Sequence, residues 1–446
     1  MTNLRVAVVG AGPAGVYAAD TLTKSDADVS IDLFERLPAP YGLIRYGVAP
    51  DHPRIKGIVT ALQRVLDRPQ IRFFGNVDYG VDLKLDDLRQ FYDAVIFSTG
   101  AEKDRALDIP GIDKDGSYGA ADFVSWYDGH PDVPRTWPLD ASQVAVLGVG
   151  NVALDVARIL AKTADELLVT EIPDNVYQGL RTSPVTDVHV FGRRGPAQAK
   201  FTPLELRELD HSPNVEVIVH PEGIDFCAHS MATIRENKQV EMVVKTLQEW
   251  AIRDVGSRPR RLHLHFLEAP VEVLGDDGVE GLRTERMELT GDGGVRGTGE
   301  FTEWPVQAVY RAVGYLSTHL ADLPFDHSSG TVPHQAGRVL DLDEQAVPGV
   351  YVTGWIKRGP VGLIGHTKGD ALETVTSLLQ DAPNLSRAQY RDPESVERFL
   401  AQRAIPFTTN EGWRRLDEHE IALGAAQGRD RVKVVDRDEM TGIANR

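Results

Sequence analysis

The stretch that most limits what this chain can fold into is its N-terminal strand, glycine turn, helix and second strand. A β-branched run at residues 6–9 leads into the turn GAGPAG. Gly10 permits a tight turn, Gly12 lets the backbone approach a pyrophosphate, and Gly15 lets helix and strand pack closely. The second predicted strand ends at Glu35, whose carboxylate can accept hydrogen bonds from a ribose diol. Order and spacing together predict a dinucleotide-binding βαβ unit.

A second glycine turn occurs in QVAVLGVGNVALDVA, residues 143–157, and has the GxGxxA form of the same fingerprint. The strand predicted to end this unit, residues 187–191, is followed by Arg193 and Arg194 instead of an acid. Two arginines suit the 2′-phosphate of NADPH, which a carboxylate would repel. The alternative is a pair of solvated surface arginines. The intervening residues 163–186 are predicted to be an insertion.

Two further predicted strands contain a glycine near their ends. Residues 93–100 form an apolar run that ends at Gly100, and beside a complete fingerprint such a strand is expected to lie near the pyrophosphate. Taken alone, it is a buried strand with a turn. The last predicted strand, residues 350–355, passes through Gly354 into a glycine-rich loop and a helix. Free N–H groups at a helix start suit the anionic edge of a reduced flavin, and the alternative is an ordinary strand–loop–helix connection.

These units predict an α/β fold of two Rossmann-like three-layer dinucleotide-binding domains, with the NADP domain inserted in the FAD domain. The expected boundaries are residues 1–102 for the first part of the FAD domain, 103–323 for the NADP domain, and 324–446 for the second part with the C-terminal tail. The chain then crosses between domains twice, which forms a hinge. A chain with both cofactors would bring nicotinamide C4 against flavin N5 and pass a hydride.

Composition restricts the other functions open to the chain. Its formal net charge of −18 argues against a broad surface for nucleic acid or anionic membrane. Cys227 is the only cysteine, so a disulfide framework, an internal redox pair and a protein-held iron–sulfur cluster are excluded. Redox chemistry therefore needs an organic cofactor, and no metal is expected. No apolar run approaches the ~20 residues of a membrane span, no signal peptide is expected, and a cytoplasmic protein is predicted.

The chain as a whole resembles ferredoxin–NADP reductases of the adrenodoxin reductase type. The matching segments are VVGAGPAG, FERLPAPYGLIRYGVAPDHP, VGNVALDVARIL, FGRRGPAQAKFTPLELREL and VTGWIKRGPVGLIGHTK, within residues 5–370, and the tail around Trp413 is similar too. The resemblance implies hydride transfer between NADPH and FAD, followed by one-electron transfers to a ferredoxin-type iron–sulfur protein.

The same resemblance implies the cofactor contacts. Beyond the turn residues and Gly100 and Gly354, the expected FAD contacts are Pro13, Ala14, Glu35, Leu43, Val81, Trp355, Gly362, Leu363 and Ile364. The expected NADPH contacts are Arg105, Val149, Gly150, Asn151, Val152, Arg193, Arg194, Glu205 and Gly362. Family members often carry a polar residue where this chain has Val149, so only a backbone contact is expected at that position.

Three polar residues are implied as catalytic partners near the flavin, namely His52, Glu208 and Asp155. Hydride transfer needs no protein base, because the hydrogen passes directly from C4 to N5. Re-oxidation in one-electron steps releases protons, and a histidine–carboxylate pair could carry one. The alternative is that His52 only orders the loop APDHP.

A basic patch is expected to dock the electron carrier. Ferredoxins are usually strongly acidic, so an acidic reductase needs local positive charge near the flavin edge. The densest cationic run in the predicted NADP domain is Arg258, Arg260 and Arg261, and a similar run occurs in the family that this chain resembles. The alternative is a solvated turn.

Other functions compete with a ferredoxin reductase. A disulfide reductase of the thioredoxin-reductase kind needs a cysteine pair, which this chain lacks. An electron-input flavoprotein related to the small subunit of glutamate synthase shares the two fingerprints, but such subunits bind clusters through an N-terminal cysteine set that is absent here. A non-catalytic flavoprotein that binds a partner or senses redox state also fits the fingerprints.

Overall fold

The computed structural model describes residues 3–362 and 364–446. The described residues divide into two compact units. Unit 1 takes those within Met1–Lys103, Asp128–Asp132 and Tyr315–Arg446, and unit 2 takes Asp104–Tyr127 and Val133–Gly314. The chain therefore leaves unit 1 after Lys103 and re-enters it for good at Tyr315.

The strands are, in chain order, β1 (Leu4–Val9), β2 (Val29–Glu35), β3 (Ile71–Gly75), β4 (Ala94–Phe97), β5 (Lys103–Asp104), β6 (Ser117–Gly119), β7 (Gln143–Leu147), β8 (Asp187–Gly192), β9 (Val215–Val219), β10 (Arg260–Phe266), β11 (Glu268–Leu274), β12 (Gly281–Leu289), β13 (Val295–Trp304), β14 (Ala308–Arg311), β15 (Tyr315–Leu316), β16 (His334–Gln335), β17 (Arg338–Leu340) and β18 (Ala346–Val352).

The α-helices are α1 (Pro13–Thr23), α2 (Leu43–Tyr46), α3 (Pro53–Lys56), α4 (Val59–Leu66), α5 (Leu85–Phe91), α6 (Ala120–Tyr127), α7 (Asn151–Ala161), α8 (Ala164–Leu167), α9 (Asp174–Arg181), α10 (Pro203–Glu208), α11 (Ala228–Glu236), α12 (Lys238–Ala251), α13 (Trp355–Arg358), α14 (Ile364–Asp381), α15 (Glu394–Gln402), α16 (Asn410–Ala425) and α17 (Arg437–Ala444). Short 3₁₀ helices occupy Pro196–Gln198, Leu209–His211, Pro221–Gly223 and Ala382–Asn384.

Unit 1 is built on a seven-stranded sheet in the order β16-β17-β18-β4-β1-β2-β3. The strands from β18 to β3 are parallel, and β16 and β17 pair antiparallel at one edge. Both faces of β1 are covered, because Val6 and Val8 pack into one hydrophobic core while Ala7 and Val9 pack into another. Strand order reverses between β1 and β4, so the carboxyl end of β1 is where such a sheet binds ligands.

Unit 2 contains a six-stranded parallel sheet in the order β6-β14-β7-β8-β10-β9. Its order reverses between β7 and β14, which marks the carboxyl end of β7 in the same way. An antiparallel sheet, β11-β12-β13, belongs to the same unit, and Leu282 on β12 shares a core with Leu147 and Phe191 of the parallel sheet. The predicted α/β architecture of two Rossmann-like units is confirmed.

The sequence also predicts a helix over residues 56–66, a strand over 306–316, a helix over 417–427, and a tail that packs on the body through Trp413 and a VKVV strand. Several of these elements have different limits in the structure. The helix expected over 56–66 is divided at Gly57 into α3 and α4, because glycine favours helix less than other residues. The strand expected over 306–316 ends as β14, and Gly314 with φ = +118° then turns the chain before β15. The helix expected at 417–427 begins earlier as α16, whose first turn is capped by Thr409.

The tail packs within unit 1, as expected from Trp413, which is buried. The VKVV stretch at 432–435 is not a strand, so that prediction was wrong. The alternation of valine and lysine in this stretch has another cause. Val432 and Val434 are buried, and Lys433 between them donates from Nζ to the carbonyl oxygens of Arg45 (2.7 Å) and Asp128 (3.0 Å). Among the described helices, none is both long and apolar enough to cross a bilayer.

Candidate functional site

The first glycine turn connects the central strand β1 of unit 1 to α1. Gly10 has φ = +105°, and a Cβ atom there would lie 2.6 Å from the carbonyl oxygen of Ser98. A Cβ atom at Gly15 would lie 2.0 Å from the carbonyl oxygen of Gly10. Gly12 is the residue before α1, Pro13 opens the helix, and no side chain of the described residues caps it. The first N–H groups of α1 are therefore available to an anion.

Glu35 lies at the end of β2, next to this turn. Its Oε2 accepts a 2.8 Å hydrogen bond from the N–H of Ala11, and its Oε1 accepts a 3.2 Å hydrogen bond from the N–H of Leu37. Burial raises the pKa of this carboxyl, and the two hydrogen bonds oppose that rise. The carboxylate is thus held in a fixed position at the rim of the turn, where a ribose hydroxyl could donate to it.

The end of β4 supplies a residue that the sequence analysis missed. The Ser98 hydroxyl lies 3.0 Å from the carbonyl oxygen of Val9 and 2.8 Å from that of Gly10, which ties β4 to the glycine turn. Gly100 follows with φ = +80°, and a Cβ built there meets no described atom within 4 Å. Open space at this glycine leaves the backbone accessible beside the turn.

The end of β18 lies against α1. Gly354 has φ = +78°, and a Cβ built there would lie 2.6 Å from the Cβ of Ala14. Asp370, buried on α14, accepts hydrogen bonds from the Gly354 N–H and the Thr353 hydroxyl. Its other oxygen pairs with Lys357 Nζ at 2.7 Å. This buried acid was not predicted, and it fixes the strand end on which half-buried Trp355 begins α13.

The loop after β2 approaches the turn from another direction. A Cβ at Gly42, which has φ = +49°, would lie 3.2 Å from the Cα of Gly12. Leu43, predicted to contact FAD, follows directly as the first residue of α2. Val81, also predicted to contact FAD, lies in a turn and is 77% exposed.

The last predicted FAD contacts lie before and at the start of α14. Gly362 is exposed and has φ = +90°, and Ile364 is the first residue of the helix. Leu363 lies outside the described residues.

The second glycine turn follows β7 in unit 2. Gly148 has φ = +137°, and a Cβ there would lie 2.3 Å from the carbonyl oxygen of Ala312 at the end of β14. Gly150 precedes α7 with no side chain of the described residues capping the helix, and a Cβ there meets nothing within 4 Å. This turn therefore offers free N–H groups and room for a phosphate as the first turn does.

The side chains around the second turn hold it in place. Val149 packs on Gly192, where a Cβ atom would lie 2.6 Å from Val149 Cγ1. The Val149 carbonyl oxygen accepts a 2.8 Å hydrogen bond from the N–H of Lys200, and Asn151 Oδ1 accepts one of 3.0 Å from the N–H of Thr202. Val152 follows in the first turn of α7. The segment after the arginine pair is thus bound to the turn.

Arg193 and Arg194 follow β8, the strand beside β7, and both are exposed. Among the described residues, neither guanidinium has a hydrogen-bond or ion-pair partner. Several other arginines of unit 2 are paired, for example Arg253 with Asp210 at 2.9 Å. Two free guanidinium groups one strand away from a phosphate turn are placed to bind a second phosphate. Arg105, also expected at NADPH, is exposed in unit 2 as well.

The predicted catalytic residues are divided between the units. His52 lies in unit 1, is 4% exposed and precedes α3. Asp155 and Glu205 lie in unit 2, where both face buried Arg158, at 2.7 Å and 4.0 Å respectively. Glu208 is half-buried at the end of α10. Arg158, which was not predicted, forms an ion pair with Asp155 on α7 and lies within 4.0 Å of Glu205 on α10.

The three arginines of the predicted docking patch differ in their surroundings. Arg260 donates through Nη1 to the carbonyl oxygen of Lys162 at 2.6 Å, so it holds structure. The Arg258 side chain is 36% exposed and lies 3.5 Å from Asp210. The Arg261 side chain is 53% exposed and pairs with Asp187 at 2.7 Å. All three guanidinium groups therefore have protein partners, and those of Arg258 and Arg261 are also partly exposed.

Comparison with known proteins identifies relatives over nearly the whole chain. The family model described as pyridine nucleotide-disulphide oxidoreductase matches residues 4–188. NADPH-ferredoxin reductase FprA of Mycobacterium tuberculosis is 41% identical over 454 residues, which cover 98% of this chain and 98% of the relative. The mitochondrial NADPH:adrenodoxin oxidoreductase of Arabidopsis thaliana is 37% identical, covering 99% of this chain and 95% of the relative. The solved structure of M. tuberculosis FprA in complex with NADPH matches with a TM-score of 0.92 and 40% identity over 100% of both chains.

Proposed function

Because the chain belongs to the family of NADPH-ferredoxin reductases and NADPH:adrenodoxin oxidoreductases, we propose that it is an FAD-dependent NADPH:ferredoxin oxidoreductase. One contrast within the molecule carries the assignment. The strand beside the first glycine turn ends at an acid, Glu35, whereas the strand beside the second is followed by Arg193 and Arg194. An acid suits the ribose of FAD, and an arginine pair suits the 2′-phosphate of NADPH.

The residues of unit 1 fit FAD. The open N–H groups after Gly12 can hold its pyrophosphate, the Glu35 carboxylate can accept from its ribose, and Gly100 leaves room for the backbone to approach it. Gly354 and Trp355, fixed by Asp370, would orient the flavin end. When bound, FAD accepts a hydride from NADPH and passes electrons on one at a time, which the chain's single cysteine cannot do.

The residues of unit 2 bind the nicotinamide cofactor in this proposal. Gly150 and the start of α7 take the pyrophosphate, and Arg193 and Arg194 select NADPH over NADH by charge-assisted hydrogen bonds to the 2′-phosphate. We assign Glu205 to the ordering of this site through Arg158, because their side chains lie 4.0 Å apart in the interior of unit 2.

His52 has a proton-carrying role in the proposal, with Asp155 and Glu208 as polar partners. The role is supported by the family resemblance and by the burial of His52 at the end of the loop that follows Glu35. Histidine suits such a role because its side chain can gain or lose a proton near neutral pH.

The electron acceptor is a ferredoxin-type protein, and we propose that it is acidic and docks on the basic surface of unit 2. Arg258 and Arg261 support the docking part of the proposal, because their side chains are partly exposed. Arg260 is left out, since its guanidinium donates to the carbonyl oxygens of three residues, Ala161, Lys162 and Ser183, whereas that of Arg258 donates to one, Val215. A cytoplasmic location stays a prediction that fractionation of the producing cells would test.

The test is a spectrum followed by turnover. The purified protein should carry one FAD per chain and reduce a small ferredoxin with NADPH, measured through cytochrome c. A colourless protein that stays colourless after incubation with FAD contradicts the proposal. If the protein oxidises NADPH with ferricyanide as acceptor but reduces none of the ferredoxins tested, an electron-input flavoprotein would be favoured instead. The named relatives do not favour that alternative.

A further inference from the structure

Four histidines lie together on one face of the parallel sheet of unit 2, and the proposed electron transfer uses none of them. His189 lies on β8 directly opposite His263 on β10, and His265 is two residues further along β10. His220 follows β9, the neighbour of β10 on its other side. Side chains two residues apart on a strand share a face, which places His263 and His265 on the same side.

The four imidazoles form two hydrogen-bonded pairs. His189 Nδ1 lies 3.1 Å from His265 Nε2, and His220 Nε2 lies 3.2 Å from His263 Nδ1. The pairs stack on each other, with ring centroids 4.4 Å apart for His189 and His263 and 4.3 Å apart for His220 and His265. Trp304 closes one side, 4.5 Å from the His265 ring. One ligand nitrogen from each of His189, His263 and His265 therefore lies close to the other two.

Neutral imidazole is the form that binds metal ions. In each hydrogen-bonded pair, a ring nitrogen of one histidine faces a ring nitrogen of the other. In each pair a nitrogen lone pair faces the N–H of its neighbour, so a cation can replace the shared proton.

Asp187 sets the tautomer of one of these rings. Its Oδ1 lies 2.9 Å from His263 Nε2, which therefore carries the proton and leaves the Nδ1 lone pair facing inward. Arg261 Nε contacts the same oxygen at 2.7 Å, and Arg261 Nη2 and the Thr186 hydroxyl each donate to Oδ2 at 2.8 Å. A carboxylate behind a histidine is the usual support of a metal ligand.

We propose that His189, His263 and His265 bind one divalent transition-metal ion of the zinc type, with His220 as the fourth donor. One ligand atom from each of the first three lies within 4.8 Å of the others. Zinc bonds nitrogen at about 2.0–2.1 Å, so two of its ligand atoms lie at most about 4 Å apart. The rings of His189 and His263 now stack nearly parallel, with an interplanar angle of 10°, so binding requires the imidazoles to rotate until their in-plane lone pairs point at the ion. His189 lies on β8, and His263 and His265 lie on β10, so the ion would fasten these two strands together and, through His220, the residue that follows β9.

Zinc titration of the flavin-loaded full chain tests the site. The protein, produced without a histidine tag and freed of metal by a chelator, should take up one Zn²⁺ per chain in isothermal titration calorimetry. His189→Gln and His265→Gln should each weaken binding at least tenfold. The matched control is His211→Gln, an exposed histidine of the same unit outside the cluster, and it should bind as the wild type does.

A second measurement covers variants that fail to fold, as circular dichroism and flavin retention would reveal. X-ray absorption at the zinc edge of the loaded wild type should show three or four imidazole nitrogen donors at about 2.0–2.1 Å. No saturable uptake by the wild type, unchanged affinity in folded His189→Gln and His265→Gln, or an edge spectrum of oxygen donors would each overturn the proposal. In any of those cases the histidines form only a hydrogen-bonded layer of the core.

Discussion

The Cβ position of Gly354 lies 2.6 Å from the Cβ atom of Ala14, which brings the end of β18 against the first turn of α1. Residues 340 positions apart in the sequence thus meet beside the first glycine turn. Gly354 has φ = +78°, a conformation that residues with a side chain rarely adopt. The proposed FAD site is therefore assembled from both ends of the chain.

Replacing Gly354 should release FAD. A methyl group in Gly354→Ala would collide with Ala14 and force the loop away, so we expect purified Gly354→Ala to lose most of its flavin absorbance. Gly442→Ala on α17 is the control, because a Cβ there meets no described atom within 4 Å. It should keep its flavin. Full FAD retention by a folded Gly354→Ala would show that this contact does not shape the site.

Removing both free guanidinium groups should change the choice of cofactor. In Arg193→Gln/Arg194→Gln, each lost charge-assisted contact is worth roughly 1.5–3 kcal/mol, so the KM for NADPH should rise at least tenfold while that for NADH changes little. A control with the same change in charge is Arg235→Gln/Arg296→Gln, at two exposed arginines of unit 2. Equal losses with NADPH and NADH would assign Arg193 and Arg194 a structural role.

The glycine turns could be predicted because they depend on local spacing. A Cβ atom built at Gly10, Gly15 or Gly148 would lie 2.6 Å or less from a backbone oxygen. Only glycine fits these positions, so the presence of glycine in the sequence indicates the turn. The positions of Glu35 and Arg193 beside their turns were predictable for the same reason. Glu35 is the last residue of β2, and Arg193 directly follows β8.

The supporting residues depend on long-range pairing and were missed. Asp370 meets Gly354 only because α14 packs beside β18, and Ser98 meets Gly10 only through the β1–β4 pairing. Part of the histidine cluster could be predicted from the sequence, because leucine and histidine alternate in RRLHLHF on β10, which indicates two histidines on one face of the strand. However, only the sheet order shows that β8 and β9 lie on either side of that strand.

Loss of the buried imidazole at residue 52 should slow electron transfer and leave cofactor binding intact. His52→Ala is expected to retain FAD, because no turn residue changes, and to slow reduction or re-oxidation of the flavin in single-turnover experiments. His327→Ala, at an exposed histidine of unit 1, serves as the control. If both half-reactions of His52→Ala match the wild type, His52 only orders its loop.

Neutralising the partly exposed arginines should weaken docking of the carrier. Arg258→Gln/Arg261→Gln should reduce ferredoxin severalfold more slowly at low ionic strength and show a weaker dependence on salt, because several surface charges together raise association rates. Activity with ferricyanide should stay unchanged, since a small acceptor needs no docking surface. The Arg235→Gln/Arg296→Gln protein again controls for net charge. An unaltered rate with ferredoxin at low salt would place the docking surface elsewhere.

Anaerobic stopped-flow mixing tests the proposed path of electrons most directly. The purified protein is mixed first with NADPH, while the flavin absorbance is followed, and then with oxidised ferredoxin. We predict that NADPH bleaches the flavin within the turnover time, that NADH does so much more slowly, and that ferredoxin restores the absorbance as it becomes reduced. A flavin that NADPH leaves oxidised, or a reduced flavin that ferredoxin cannot re-oxidise, would contradict the assignment of this chain as an NADPH:ferredoxin oxidoreductase.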